Sequence, residues 1–199
     1  MAIDAYVVFQ PYNGSPPQSE SQLDFTANAS DSLWSDMSAF KGATLSGGKL
    51  TFGQIFEIED YSFDIEQVLN IGSQAGGSGA GKVTFNPFSI TRKIDQASPN
   101  MYQMCCQGTP FKMVSLAFRK SAGGQSAGSF YLRFDFKLVA IKTISWSHDD
   151  ESPKETMTFE YGGMLVRYCA QNPDGSLQAA NPGGWNRVKN VVDQSTNPL

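Results

Sequence analysis

Phe130-Tyr131-Leu132-Arg133-Phe134-Asp135-Phe136-Lys137-Leu138 decides the fold. Its apolar members fall on every second residue, with Tyr131, Arg133, Asp135 and Lys137 between them. Successive side chains of an extended strand point to opposite faces of a sheet, so this period of two predicts a strand with one core face and one polar face. A helix would need apolar residues at three- and four-residue spacing.

The same period recurs outward from that stretch. Ile3, Ala5, Val7 and Phe9 alternate with Asp4, Tyr6 and Val8; Val114, Leu116 and Phe118 alternate with Ser115, Ala117 and Arg119. Met157, Phe159 and Tyr161 alternate with Thr158 and Glu160, and the run resumes after Gly162-Gly163. Tyr61, Phe63 and Ile65 alternate with Asp60, Ser62, Asp64 and Glu66, which predicts one strand with the aromatic and apolar set in the core. Many strands broken by Gly- and Ser-rich turns indicate a mainly β barrel or sandwich.

One helix is expected. Ser98 suits an N-cap and Pro99 the first helical position; Met101, Met104 and Cys105 then share one face, and Gly108 ends the run. Residues 11–51 are polar and rich in Pro, Ser and Gly, with Leu33, Trp34, Met37 and Phe40 at short-helix spacing. Asn172-Pro173-Asp174-Gly175 reads as a turn. No linker separates two cores, so residues 1–192 are expected to form a single domain with a long polar insertion at 11–51, followed by a short tail, 193–199.

With 199 residues, such a domain folds without a disulfide or metal. Charged residues make up 17%, below the usual quarter, which fits extensive burial against partner subunits. The net charge of −4 argues against a general nucleic-acid binder. No apolar run reaches the length of a membrane span, and Met1-Ala2-Ile3-Asp4 lacks the basic segment of a cleaved signal peptide. Cys105, Cys106 and Cys169 cannot all pair within one chain and are expected to be reduced thiols serving as small core residues.

Three patterns resemble chemistry. Gly76-Gly77-Ser78-Gly79-Ala80-Gly81-Lys82 has phosphate-loop spacing, but Val83 replaces the magnesium-binding hydroxyl and a strand, not a helix, is expected next. His148, the only histidine, lies in a polar stretch read as an exposed turn, and no nucleophile elbow accompanies it. Asp60, Asp64 and Glu66 could pair as acid and base, although a solvated strand face is the usual explanation of such a row and needs no catalysis. No catalytic residue, metal site or cofactor is expected.

Phe88-Ser89-Ile90-Thr91-Arg92-Lys93-Ile94-Asp95-Gln96-Ala97-Ser98-Pro99 resembles the strand-to-helix passage of the haemolysin-coregulated proteins, Hcp, of the bacterial type VI secretion system. Met1 to Tyr6, Gly79 to Val83, Arg119 to Gly124, Glu155 to Tyr161 and Gly184-Trp185-Asn186 are similar to family segments in the same order. The resemblance covers roughly residues 1–10 and 52–192, and the long segment 11–51 departs from it.

That resemblance implies a squat β-barrel of two antiparallel sheets with one short α-helix, assembling into a hexameric ring. Rings would stack into a hollow, exported tube, with a VgrG-type spike, small effectors in the lumen and a contractile sheath as partners. It implies residence in the bacterial cytoplasm before firing and secretion without a cleaved signal peptide. Asp60, Ser62 and Asp64 would face the lumen. Gln74, Gly76, Gly77, Ser78, Gly79 and Gly81 would form a loop between stacked rings. Two other functions are weighed: a small β-barrel hydrolase using Asp60, Asp64 or Glu66, and a monomeric binding module using 11–51.

Overall fold

The computed structural model describes residues 4–21, 33, 55–69, 80–120, 128–148 and 152–199. In chain order these form β1 (Asp4–Pro11), β2 (Ile55–Glu57), β3 (Asp60–Ser62), β4 (Ile65–Leu69), β5 (Ala80–Phe85), β6 (Phe88–Lys93), α1 (Ser98–Gln107), β7 (Phe111–Lys120), β8 (Ser129–His148), β9 (Pro153–Tyr168), β10 (Asn181–Asn186) and β11 (Val191–Val192). All pairings are antiparallel. The main sheet runs β11-β10-β9-β8-β7-β1-β2, with β6 also on β9 and β3 on β6; β4 and β5 form a separate two-stranded sheet.

β8 and β9 form the spine. One edge of β9 pairs with β8 from Pro153 to Tyr168; the other pairs with β6 at Lys154–Phe159 and then with β10 at Gly163–Tyr168. Gly162-Gly163 marks the fork. A Cβ on Gly163 would lie 3.1 Å from the Trp185 carbonyl oxygen, so glycine lets β10 approach closely.

The principal core lies on one side of the sheet and is centred on Phe88, whose ring stacks on Phe136 at 3.9 Å and on Phe159 at 4.6 Å. Each such buried ring contributes about 1.5–3 kcal/mol of transfer free energy. Phe134 and Phe136 point to this side, and β9 alternates buried and half-buried residues from Lys154 to Arg167, with Met157, Phe159 and Tyr161 in this core as the sequence predicts.

The second face of the central strands is not solvated. Tyr6, Val8, Ile55, Met113, Ala117, Phe130 and Cys169 form another cluster there, and Leu33 packs into it. Buried polar groups share this face. Asp135 accepts from Arg133 Nε at 2.7 Å, from Arg167 Nη2 at 3.0 Å and from Ser115 Oγ at 2.5 Å. The expected polar faces of β1 and β7 are therefore covered, and alternation could not register this because a covering layer comes from distant sequence.

Part of that layer is the polar insertion. Pro11 completes β1 opposite Phe111, Pro17 and Ser19 are buried, and Ser19 Oγ donates to the Ile55 carbonyl at 2.6 Å. Trp34, Met37 and Phe40 lie outside the described residues.

Three local readings need correction. The run 60–66 is not one strand: it breaks at Phe63-Asp64 into β3 and β4, which belong to different sheets. Tyr61 and Ile65 are 38% and 42% exposed, while Phe63 packs on the core and Tyr61 only meets the core ring of Phe118 edge-on at 4.9 Å. Ser98 is the first helical residue rather than the cap. Its hydroxyl donates to Glu155 at 3.0 Å and accepts from Arg92 Nη2 at 3.2 Å, and Ala97 occupies the cap position. Cys169 is buried and Cys105 partly so, but Cys106 is exposed because it falls on the outer face of α1. None of the three is in a disulfide. Gly108 does close the helix, with φ +63°.

Candidate functional site

β6 lies between β3 and β9, and the register of these strands builds a polar surface. Ser62 is opposite Ser89, Ser89 opposite Thr158, and Thr158 opposite Thr143. One row along, Asp60 is opposite Thr91, Thr91 opposite Thr156, and Thr156 opposite Ser145. Two cross-strand rows thus run over four strands, with one carboxylate and seven hydroxyls. The other side of the same strands carries Phe88, Ile90, Met157 and Phe159, all in the core. Alternation makes one face by filling the other.

Four of the hydroxyls pair with one another. Ser62 Oγ lies 3.3 Å from Ser89 Oγ, and Thr91 Oγ1 lies 2.9 Å from Thr156 Oγ1. Such a face exchanges hydrogen bonds with water or a protein surface and carries little charge to hold either. The partner of each of these four is another hydroxyl, not the adjacent base that activates a nucleophile, and Ser145 Oγ donates to the Thr156 carbonyl at 3.4 Å. Lys154, in the next row, pairs with Glu59 at 2.7 Å.

The structure brings Asp60 and Ser62 together here and leaves Asp64 aside. Asp64 lies in the break between β3 and β4, where its Oδ2 accepts from Asn86 Nδ2 at 2.6 Å. Glu66 is opposite Thr84 on the separate sheet. Asp60 and Glu66 thus sit on strands of different sheets with Asp64 in the break between them, which removes the shared strand face behind the hydrolase reading. His148 ends β8, exposed, opposite Pro153. Among the described residues, no group of three or more His, Cys, Asp or Glu is arranged to hold a metal ion.

Gln74, Gly76, Gly77, Ser78 and Gly79 lie outside the described residues. They join β4 to β5, which pair from Ile65↔Phe85 to Leu69↔Ala80, and Gly81 is already in β5. The residues after Lys82 continue that strand, where a phosphate loop needs a helix N-terminus.

The hairpin β4–β5 and the sheet at β9–β10 enclose an open cleft of about 1000 Å³. Ile65, Val83 and Phe85 line one wall, Met164 and Trp185 the other, and Arg187 stands at the rim. Arg187 Nη1 donates to the Tyr161 carbonyl at 2.7 Å, and its guanidinium lies over the Phe85 and Tyr161 rings. Burial pushes the Tyr161 phenol up to about 12 despite the nearby Arg187 charge.

The sequence signals for Asp60 and Ser62 were legible, but Ser89, Thr91, Thr143, Ser145, Thr156 and Thr158 were missed. Each of Ser89-Ile90-Thr91, Thr143-Ile144-Ser145 and Thr156-Met157-Thr158 carries a hydroxyl-apolar-hydroxyl signature. Only the register shows that the three lie side by side.

This architecture defines the class: a mainly β, β-barrel-like protein with one short helix. It is similar to a solved type six secretion system protein, with a TM-score of 0.70 at 19% identity over 96% of this chain and 100% of that one. It is also similar to Hcp1 from Salmonella typhimurium, with a TM-score of 0.60 at 17% identity over 97% and 100% of the two chains. For secreted protein Hcp3 from Pseudomonas aeruginosa the values are 0.56, 12%, 93% and 98%. No curated protein sequence matches the chain. The family model for the type VI secretion system effector Hcp matches residues 47–168, more than half of the chain. The chain belongs to the Hcp family. Among the described residues, no helix is long and apolar enough to cross a membrane.

Proposed function

We propose that this chain is a structural subunit of the type VI secretion tube, with no catalytic role. Six copies close a ring and rings stack into a hollow tube. Asp60 and Ser62, with the hydroxyl rows beside them, line the lumen, and Asp64 stands at its margin. The segment Gln74–Gly81 meets the next ring. The partners are further copies, a VgrG-type spike, small effectors held in the lumen and the contractile sheath. The chain acts from the bacterial cytoplasm and is exported without a cleaved signal peptide.

The observation that carries this reading is the pair of hydroxyl rows across β3, β6, β9 and β8. A channel wall that must pass unrelated cargo needs hydrogen-bonding capacity without strong charge or apolar adhesion.

Light scattering over a range of concentrations, with negative-stain imaging, tests the reading. Rings with a mass six times 21.7 kDa are expected. A monomer mass at every concentration overturns it. Deleting Gly76–Ala80 is expected to leave rings intact and to stop tube growth, whereas Lys82→Ala leaves both unchanged.

A further inference from the structure

We infer that the outer edge of β10 is a strand-docking site, and that the partner it fits is segment 191–195 of a second copy, exchanged for the chain's own on assembly. The inference rests on the assembly reading only in taking a second copy as the partner.

The inner edge of β10 is paired with β9. Along its outer edge the chain's own C-terminal segment forms a strap. Val191 pairs with Asn186 and Val192 with Trp185; Asp193 N then donates to the Gly184 carbonyl at 3.1 Å, and Gln194 Nε2 to the Pro182 carbonyl at 3.3 Å. The segment 191–195 is thus a sequence that demonstrably fits this edge. A Cβ on Gly184 would overlap the Asp193 carbonyl oxygen, so the seat is shaped to the strap's backbone.

What fastens the strap is polar. Lys137, 1% exposed, donates to Asp193 Oδ2 at 2.9 Å and to the Ser195 carbonyl at 2.7 Å. The side chains of Val191 and Val192 are 47% and 65% exposed, so little apolar burial ties the strap to its own body. Backbone pairing and one ion pair can be remade identically by a second copy's strap. The connection back to β10 is short, residues 187–190, and closes with Asn190 at φ +56°, a left-handed conformation that Asn adopts readily. Opening a short hinge of this kind exchanges an identical element between copies.

A two-variant mixture tests this. Lys137→Glu places an acid against the strap's own Asp193, and Asp193→Lys places a cation against the seat's own Lys137. Each variant alone is mismatched both within a copy and between like copies. Mixed, every exchanged strap meets an opposite charge. Recovery of thermal stability and of assembly in the mixture, with both variants in one complex, is expected. A mixture that behaves as the sum of its parts overturns the inference.

The unmodified protein gives a second readout should a variant fail to fold. Full chains with natural nitrogen and with heavy nitrogen are unfolded together, refolded, concentrated to assembly and treated with a carbodiimide, which activates the Asp193 carboxyl as an O-acylisourea; the Lys137 amine attacks it, forming the amide and expelling the reagent as its urea. Cross-linked peptides carrying both isotopes are expected at a level comparable to the single-isotope ones. Single-isotope peptides alone overturn strap exchange while leaving ring formation, read from mass and imaging, to stand or fall separately.

Discussion

The Arg133 guanidinium donates from Nη1 to the Leu33 carbonyl oxygen at 2.6 Å, joining residues 100 positions apart inside the buried second face of the sheet. The same guanidinium pairs with Asp135, which also holds Arg167. One carboxylate therefore compensates two buried cations and, through Arg133, seats the polar insertion on the barrel.

Asp135→Ala leaves both arginines without their shared anion in a layer that excludes water. Breaking a buried pair from one side costs about 3–5 kcal/mol. Urea denaturation should show a fall of that size. An unchanged midpoint would mean that water reaches the cluster.

Ser98 offers a sharper discrimination. If its role were helix capping, Ser98→Asp would preserve stability, since aspartate is a good cap. Its hydroxyl instead bridges Arg92 and Glu155, which pair at 2.5 Å in the interior. Ser98→Asp is expected to destabilise the protein more than Ser98→Ala, whose cost is about 1–3 kcal/mol for the lost buried hydrogen bonds. Thermal unfolding of the two variants checks the order.

Gly184→Ala forces the strap backbone away from β10, with an expected loss of about 1–3 kcal/mol, typical of overpacking. Amide exchange at Asp193 should accelerate far more than exchange in β8 or β9. Equal protection of Asp193 in variant and parent would count against the tight seat.

Lys137 holds the Asp193 carboxyl below its ordinary value of 3.8, chiefly through their hydrogen bond. A group whose folded value is depressed contributes stability that is full above the unfolded value and fades as pH falls through the folded one. The stability difference between the parent and Asp193→Asn should therefore hold constant near neutral pH and shrink in the acid range below that value. Thermal scans against pH read the effect directly.

Ser62→Cys probes the proposed lumen. In assembled tubes a small maleimide is expected to react freely and one carrying a bulky polymer to be excluded, while isolated subunits react with both. Equal labelling by the two reagents in tubes would place Ser62 on the outside.

Much of the architecture was readable because it is local. The period of two along Leu132–Phe136 and Met157–Tyr161, and the glycine that stops α1, depend on neighbours within a few residues; the expected core face fails at Phe130, which joins the second cluster, and at Leu138, which is 39% exposed with φ +50°. The run 60–66 misled because its alternation crosses a break: Asp64 turns to bind Asn86, and the strands on either side join different sheets. The buried Arg133, Asp135 and Lys137 read as a wet face, since their partners Leu33, Arg167 and Asp193 lie far away in sequence. For the hydroxyl rows, each strand contributed a fragment, and only pairing register assembled them.

The spine has a mechanical meaning. β9 is bonded to β8 along its whole length, from His148↔Pro153 to Leu132↔Tyr168. Antiparallel hydrogen bonds run across the strands, so a pull along the strand axis loads the entire ladder in shear. The two-residue pairing of β11 with β10 instead peels one bond at a time. A subunit pushed or dragged end to end would hold at its centre and yield first at its C-terminal margin.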